Sequence, residues 1–106
     1  MYAMVRRYRA DQEDVDEIAH RVDQEFAERV SGEPGFCDYQ VVDCGNGTIV
    51  SITMFADEEG ARRSNQMASE WVGEALGDMR MERTDAFGGE VLVSRAADAV
   101  LQPAHH

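Results

Sequence analysis

Asn65 stands in the middle of a helically spaced stripe, Ala61, Asn65, Ala68, Val72, Ala75 and Met79, whose other members are apolar. A buried side-chain amide is costly unless it is paired. It is therefore either a donor facing a substrate cavity between its helix and a sheet, or an amide satisfied by backbone or water near the boundary of the core. Trp71, six residues on, offers a core anchor or a wall for the same cavity. Arg6 and Arg7 are neighbours in an alternating run, so they point to opposite faces and one of them can point inward. A buried guanidinium needs a carboxylate, such as Asp38 or Asp43, or an anionic ligand; a paired or edge-exposed arginine is the plainer outcome. Together with Tyr39, these residues could line one cavity between the helix and the sheet.

Other chemistries find little support. His20 lies on the charged back of a helix, and the two remaining histidines end the chain, so a histidine-based metal site is not expected. The acidic run DQEDVDE lacks the glycine and distal glutamate of a calcium loop. Gly45-x-Gly47-x-x-Val50 misses the third glycine of a dinucleotide fingerprint. There is no Gly-x-Ser-x-Gly, and Cys37 has no obvious base. No metal and no cofactor are expected.

The chain of 106 residues is long enough for one domain with one core. Ten arginines, no lysine and 21 acids give a net charge of −11, a field that repels nucleic acid and anionic membranes. An anionic small molecule is also repelled at long range unless arginines gather at its entrance. No apolar run approaches the ~20 residues that span a bilayer. The opening MYAMVRRYRA places its positive charges after the apolar start, the wrong order for a secretory signal, so a cytoplasmic protein is expected. Cys37 and Cys44 lie seven residues apart in one strand-like run, roughly 23 Å and on opposite faces, too far to bridge.

The elements that must position these residues read in order. Residues 1–9 alternate as a strand. A helix follows from the Asp11 cap, with Val15, Ile18, Ala19, Val22, Phe26 and Val30 on one face, until Ser31-Gly32 and Pro34 end it. Phe36 to Cys44 is a second strand, turned by Gly45-Asn46-Gly47 into a third over Thr48 to Phe55. Asp57 caps a second helix running to about Gly77; residues 77–89 read as a loop and EVLVSR as a fourth strand. Residues 1–96 thus form one domain and residues 97–106 a tail, to which a short helical turn is assigned. The order β-α-β-β-α-β is that of a ferredoxin-like α+β sandwich with strands ordered 4-1-3-2. Two helices cover only one face of such a sheet. Both faces of the strands carry large groups: Tyr2 and Met4 against Val5 in the first, Phe36 and Val42 against Tyr39 and Val41 in the second, Ile52 against Phe55 in the third. The uncovered face is too apolar for a monomer, so a homodimer packed sheet to sheet is expected.

The element order, the Pro34-Gly35-Phe36 opening of the second strand, the glycine-turned hairpin and the FADEEGARRSNQMASEWV passage resemble the antibiotic-biosynthesis-monooxygenase-like superfamily over residues 1–96. The resemblance implies a homodimeric α/β barrel. It also implies an activity among those of the superfamily, which include oxygenation of aromatic polyketides without metal or flavin and haem degradation. The haem-degrading members use an asparagine late in strand one and a histidine near the end of helix two. Here strand one offers Arg6 and Arg7, and WVGEALGDM has no histidine. The quinone-forming members use an asparagine and a tryptophan about a turn apart, whereas Asn65 and Trp71 are six residues apart, so neither set of roles is carried over. The expected function is a cofactor-independent monooxygenase-like protein acting on a small phenol or hydroquinone, with Asn65, Trp71, Tyr39 and Arg6 lining its cavity. The alternative is a non-catalytic dimeric module of the same fold that binds a ligand or only assembles.

Overall fold

The computed structural model describes residues 1–96 of the chain; the helical turn expected in the tail lies outside them. Strand β1 (Tyr2–Arg9) leads into a continuous helical segment, α1, over residues 12–31. Then come β2 (Phe36–Gly45), β3 (Thr48–Phe55), the helix α2 (Glu58–Ala75) and β4 (Glu82–Glu90). The sheet is antiparallel throughout and ordered β2-β3-β1-β4, the expected ferredoxin-like arrangement. No helix among the described residues is long and apolar enough to cross a membrane.

Alternation sets the two faces of the sheet. Along β1, Tyr2, Met4, Arg6 and Tyr8 are buried beneath the helices, while Arg7 and Arg9 are exposed. Val15, Ile18, Val22, Phe26 and Val30 of α1 join that core, with Ala61, Ala68 and Trp71 of α2. The last three steps in the α1 stripe are four residues each. In a regular α-helix a four-residue step overshoots by ~40°, so three would carry the stripe off the sheet. Residues Val22–Phe26 instead form a π-helical turn, which winds wider and takes up the drift. Val22, Phe26 and Val30 all remain buried as a result.

The helix ends are tied down individually. The Asp57 carboxylate accepts the Gly60 N–H (2.7 Å) at the start of α2. At its other end, Arg21 of α1 donates to the Ala75 carbonyl (2.9 Å) and to Asp78 Oδ1 (3.0 Å), joining the two helices. Arg21 in turn holds the Asp78 carboxyl below its usual range through that hydrogen bond. The β2–β3 turn docks as well. The Ala10 N–H donates to the Gly47 carbonyl (2.8 Å), and the Gly47 N–H donates to Gln12 Oε1 (2.6 Å). The tip of the hairpin is thereby fixed to the junction of β1 and α1.

Two sequence expectations need correction. The fourth strand occupies Glu82–Glu90 and not Glu90–Arg95. Its position is dictated by the strand it pairs with: Tyr2 stands opposite Glu90 and Arg9 opposite Glu82, with a bulge beside Arg7/Tyr8. The Val91 N–H still reaches the Met1 carbonyl (2.9 Å), but β1 ends there, and Leu92 and Val93 stand 91% and 81% exposed. An edge strand tolerates the charges and glycines of ERTDAFGG, so strand propensity pointed to the wrong segment. Phe36 also lies on the same face as Tyr39 and Val41. The register slips between Phe36 and Asp38, which leaves Cys37 as the extra residue of a bulge and turns Phe36 toward Phe55, 5.8 Å between rings.

Candidate functional site

Arg6 is the inward arginine, and it is wholly buried. Ser51 stands directly opposite it on β3, and Thr53 is two residues along on the same face. The Arg6 Nε donates to Ser51 Oγ (3.1 Å) and Nη2 to Thr53 Oγ1 (2.7 Å), while Nη1 has no partner among the described residues. The expected carboxylate partner is not there. Asp38 accepts from Gln40, Asp43 accepts the Gly45 N–H, and no ion pair among the described residues involves Arg6. Both aspartates sit on β2, which β3 separates from β1. Arg7 points to the opposite face and pairs with Asp85, its Nε 2.8 Å from Oδ2.

Burial lowers the Arg6 pKa, with the like charge of Arg83 adding to the effect and the phenols of Tyr8 and Tyr39 opposing it. The guanidinium nevertheless stays protonated, because arginine starts so far above neutrality. Tyr39 is affected in the opposite sense. Burial pushes its phenol well above the ordinary tyrosine range, and the pull of Arg6 offsets this only in part. At neutral pH the pair is therefore a cation beside a neutral hydroxyl.

Arg6, Tyr8, Tyr39 and Ser51 line a cavity closed over by Phe26 and Trp71, together with aliphatic side chains from both helices and the sheet. The Phe26 ring meets Tyr39 edge-on at 5.5 Å and Trp71 at 5.6 Å. The free volume is ≈ 20 Å³, enough for one water. Its outer wall is Val41, Val72 and Met81, none of which is fully buried. A ligand larger than one water would have to displace these side chains, of which methionine is the most adaptable.

Three of the four residues singled out from sequence thus meet in one cavity: Arg6, Tyr39 and Trp71. Asn65 is not among its lining residues. The buried positions of α2 are Gly60, Ala61, Ser64, Ala68 and Trp71, a stripe centred to one side of Asn65. Asn65 is half-buried, and its Oδ1 accepts from Arg83 Nη1 at 2.7 Å. Arg83 was missed because its segment read as a loop; the register of β4, which places it opposite Tyr8, is what brings it here. Replacing Asn65 with leucine removes the acceptor of a half-buried cation. A loss of about 1.5–3 kcal/mol is expected by thermal or urea unfolding, and unchanged stability would show the bond to be idle.

A four-stranded antiparallel sheet, two helices on one face and an aromatic-walled cavity between them define a ferredoxin-like α+β domain. Residues 1–69 match the family model described as antibiotic biosynthesis monooxygenase, and the chain belongs to that family. Among solved structures, HapK from Hahella chejuensis is similar at 16% identity, with 92% of this chain and 98% of that one covered and a TM-score of 0.68. A dimeric ferredoxin-like protein from an uncultured marine organism is similar at 12% identity, with 92% and 100% covered and a TM-score of 0.68. The ActVA-Orf6 monooxygenase of Streptomyces coelicolor, in complex with the ligand nanaomycin D, is similar at 17% identity, with 88% and 92% covered and a TM-score of 0.63. At these identities the likeness carries the fold. No curated protein sequence matches the chain.

Proposed function

We propose that this protein is a homodimeric, cofactor-independent oxygenase that oxidises a small phenol or hydroquinone-type aromatic in the cavity beside Arg6. The supporting observation is a buried, charged guanidinium with a free N–H in a wall that is otherwise aromatic and aliphatic apart from the hydroxyls of Ser51, Tyr8 and Tyr39. The reaction that suits such a wall draws its electrons from the substrate. A phenolate or enolate carbon passes electrons to dioxygen and forms a hydroperoxide, which collapses to a carbonyl with loss of water. For a CH₂ group the balance is CH₂ + O₂ → C=O + H₂O, the substrate carbon giving up four electrons. The protein supplies dryness, position and a fixed positive partner for the oxyanion.

The dimer reading rests on the open face of the sheet. Ile52, Val5 and Phe87 stand side by side across β3, β1 and β4, with Val42 and Val50 paired nearby. Phe87 is 61% exposed. A second copy packed on this face would cover them. A non-catalytic ligand-binding module of the same fold is the second reading, favoured by a cavity that in its closed form admits only one water. Oxygen-electrode measurements with a panel of anthrones and hydroquinones separate the two. Uptake above the uncatalysed background supports the oxygenase, and no uptake across the panel removes it.

A further inference from the structure

We propose that the cavity selects an aromatic ligand that is already an oxyanion when it arrives, a carboxylate or an acidic phenol or enol, and that Arg6 is the group that recognises it. This deepens the oxygenase reading and rests on the same cavity being the ligand site. The first support is charge. The Arg6 guanidinium is fully buried, its two protein acceptors are neutral hydroxyls, and its Nη1 has none. One water could satisfy that N–H but would neutralise nothing. A buried cation without an opposite charge beside it carries an uncompensated desolvation cost.

The second support is what surrounds Arg6. The titratable groups that bear on it are Tyr8 from β1, Tyr39 from β2 and Arg83 from β4. The side chains that α1 and α2 contribute to the cavity wall are all apolar or indole. Arg83 repeats the pattern, since its acceptor is the neutral amide of Asn65 and no ion pair among the described residues includes it. In a chain of net charge −11, with acids outnumbering arginines two to one, two neighbouring arginines without a carboxylate form a local positive island.

The third support is the absence of a base. Among the described residues the cavity wall contains neither histidine nor carboxylate, and burial raises the Tyr39 phenol so that it stays protonated at neutral pH. A neutral phenol of ordinary acidity would find nothing there to take its proton. The site can hold an oxyanion but has no means of making one.

Calorimetric titration of the intact chain tests this with benzoate against benzamide, which keeps the ring and loses the charge. Benzoate should bind at least about tenfold more tightly, a difference of ~1.4 kcal/mol. Arg6→Met should abolish the preference. A second arm titrates 4-nitrophenol above and below its own ionisation: tighter binding of the phenolate assigns phenols to the site, and binding of benzoate alone assigns carboxylates. Equal affinity for benzoate and benzamide, binding of neither, or an Arg6→Met protein that keeps the preference each overturns the proposal. If Arg6→Met does not fold, the comparison on the unaltered protein decides. Oxygen uptake is read separately. Benzoate selectivity without any uptake ends the oxygenase reading alone, and turnover of neutral hydroquinones without anion preference ends this one alone.

Discussion

Replacing Ile52 with glutamate should leave the protein a monomer. Ile52 is on the open face of β3, paired with Val5 of β1 on one side and Gln40 of β2 on the other, at the centre of the uncovered sheet. In the single chain it is only half-buried, so a glutamate there can keep its carboxylate in water and the domain should still fold. In a sheet-to-sheet dimer the same carboxylate would be sealed beneath a second apolar face. A charge buried without a partner costs several kcal/mol, and a two-fold axis imposes that cost twice. Light scattering at micromolar concentration should report twice the chain mass for the unaltered protein and the chain mass for Ile52→Glu, with circular dichroism unchanged. A monomeric unaltered protein would eliminate the dimer, and a variant that stays dimeric would eliminate this sheet face as its interface.

Gly47→Ala should be among the most destabilising single-methyl changes available in this chain. Gly47 has φ +79°, in the left-handed region, and a Cβ there would overlap the backbone carbonyl oxygen of Ala10. The obstacle is main chain held by the Ala10-to-Gly47 hydrogen bond, so it cannot swing aside as a flexible side chain would. Gly45→Ala provides the comparison. It has φ +85°, but an added Cβ meets nothing. Gly45→Ala should cost about 1–2 kcal/mol for the left-handed conformation alone. Gly47→Ala should add the loss of hairpin docking and reach about 3 kcal/mol or more. Urea unfolding of the two variants side by side checks this, and equal losses would show that the docking contributes nothing.

Most of the fold was legible because its elements announce themselves locally. Alternation marked β1 and β3, the three- and four-residue stripe marked α1, and positive-φ residues marked the hairpin at 45–47. The fourth strand was misplaced because its sequence is charged and glycine-rich, while the more strand-like run after it lies outside the register with β1. Position in a sheet is a property of the partner strand, which local sequence does not carry. The π-helical turn at Val22–Phe26 left a trace in three successive four-residue steps, although those steps also fit an ordinary helix face.

The site was legible in part for related reasons. Alternation allows only one of Arg6 and Arg7 to be buried, and Arg6 falls into phase with Tyr2, Met4 and Tyr8. Its hydroxyl partners could not be read, since Ser51 and Thr53 face it only through the β1–β3 register. The same holds for the Asn65–Arg83 contact, which joins a helix to a strand that sequence had assigned to a loop.

Under the proposed anion site, the lone cation at Arg6 would also make folding and ligand occupancy one linked equilibrium. Removing that charge from water during folding lowers the stability of the empty domain, and a bound anion would restore stability by its binding free energy, which includes compensation of the charge. Ligand-free chains would then unfold, and meet proteases, more often than occupied ones, so the abundance of this protein in a cell would track the supply of the molecule it holds.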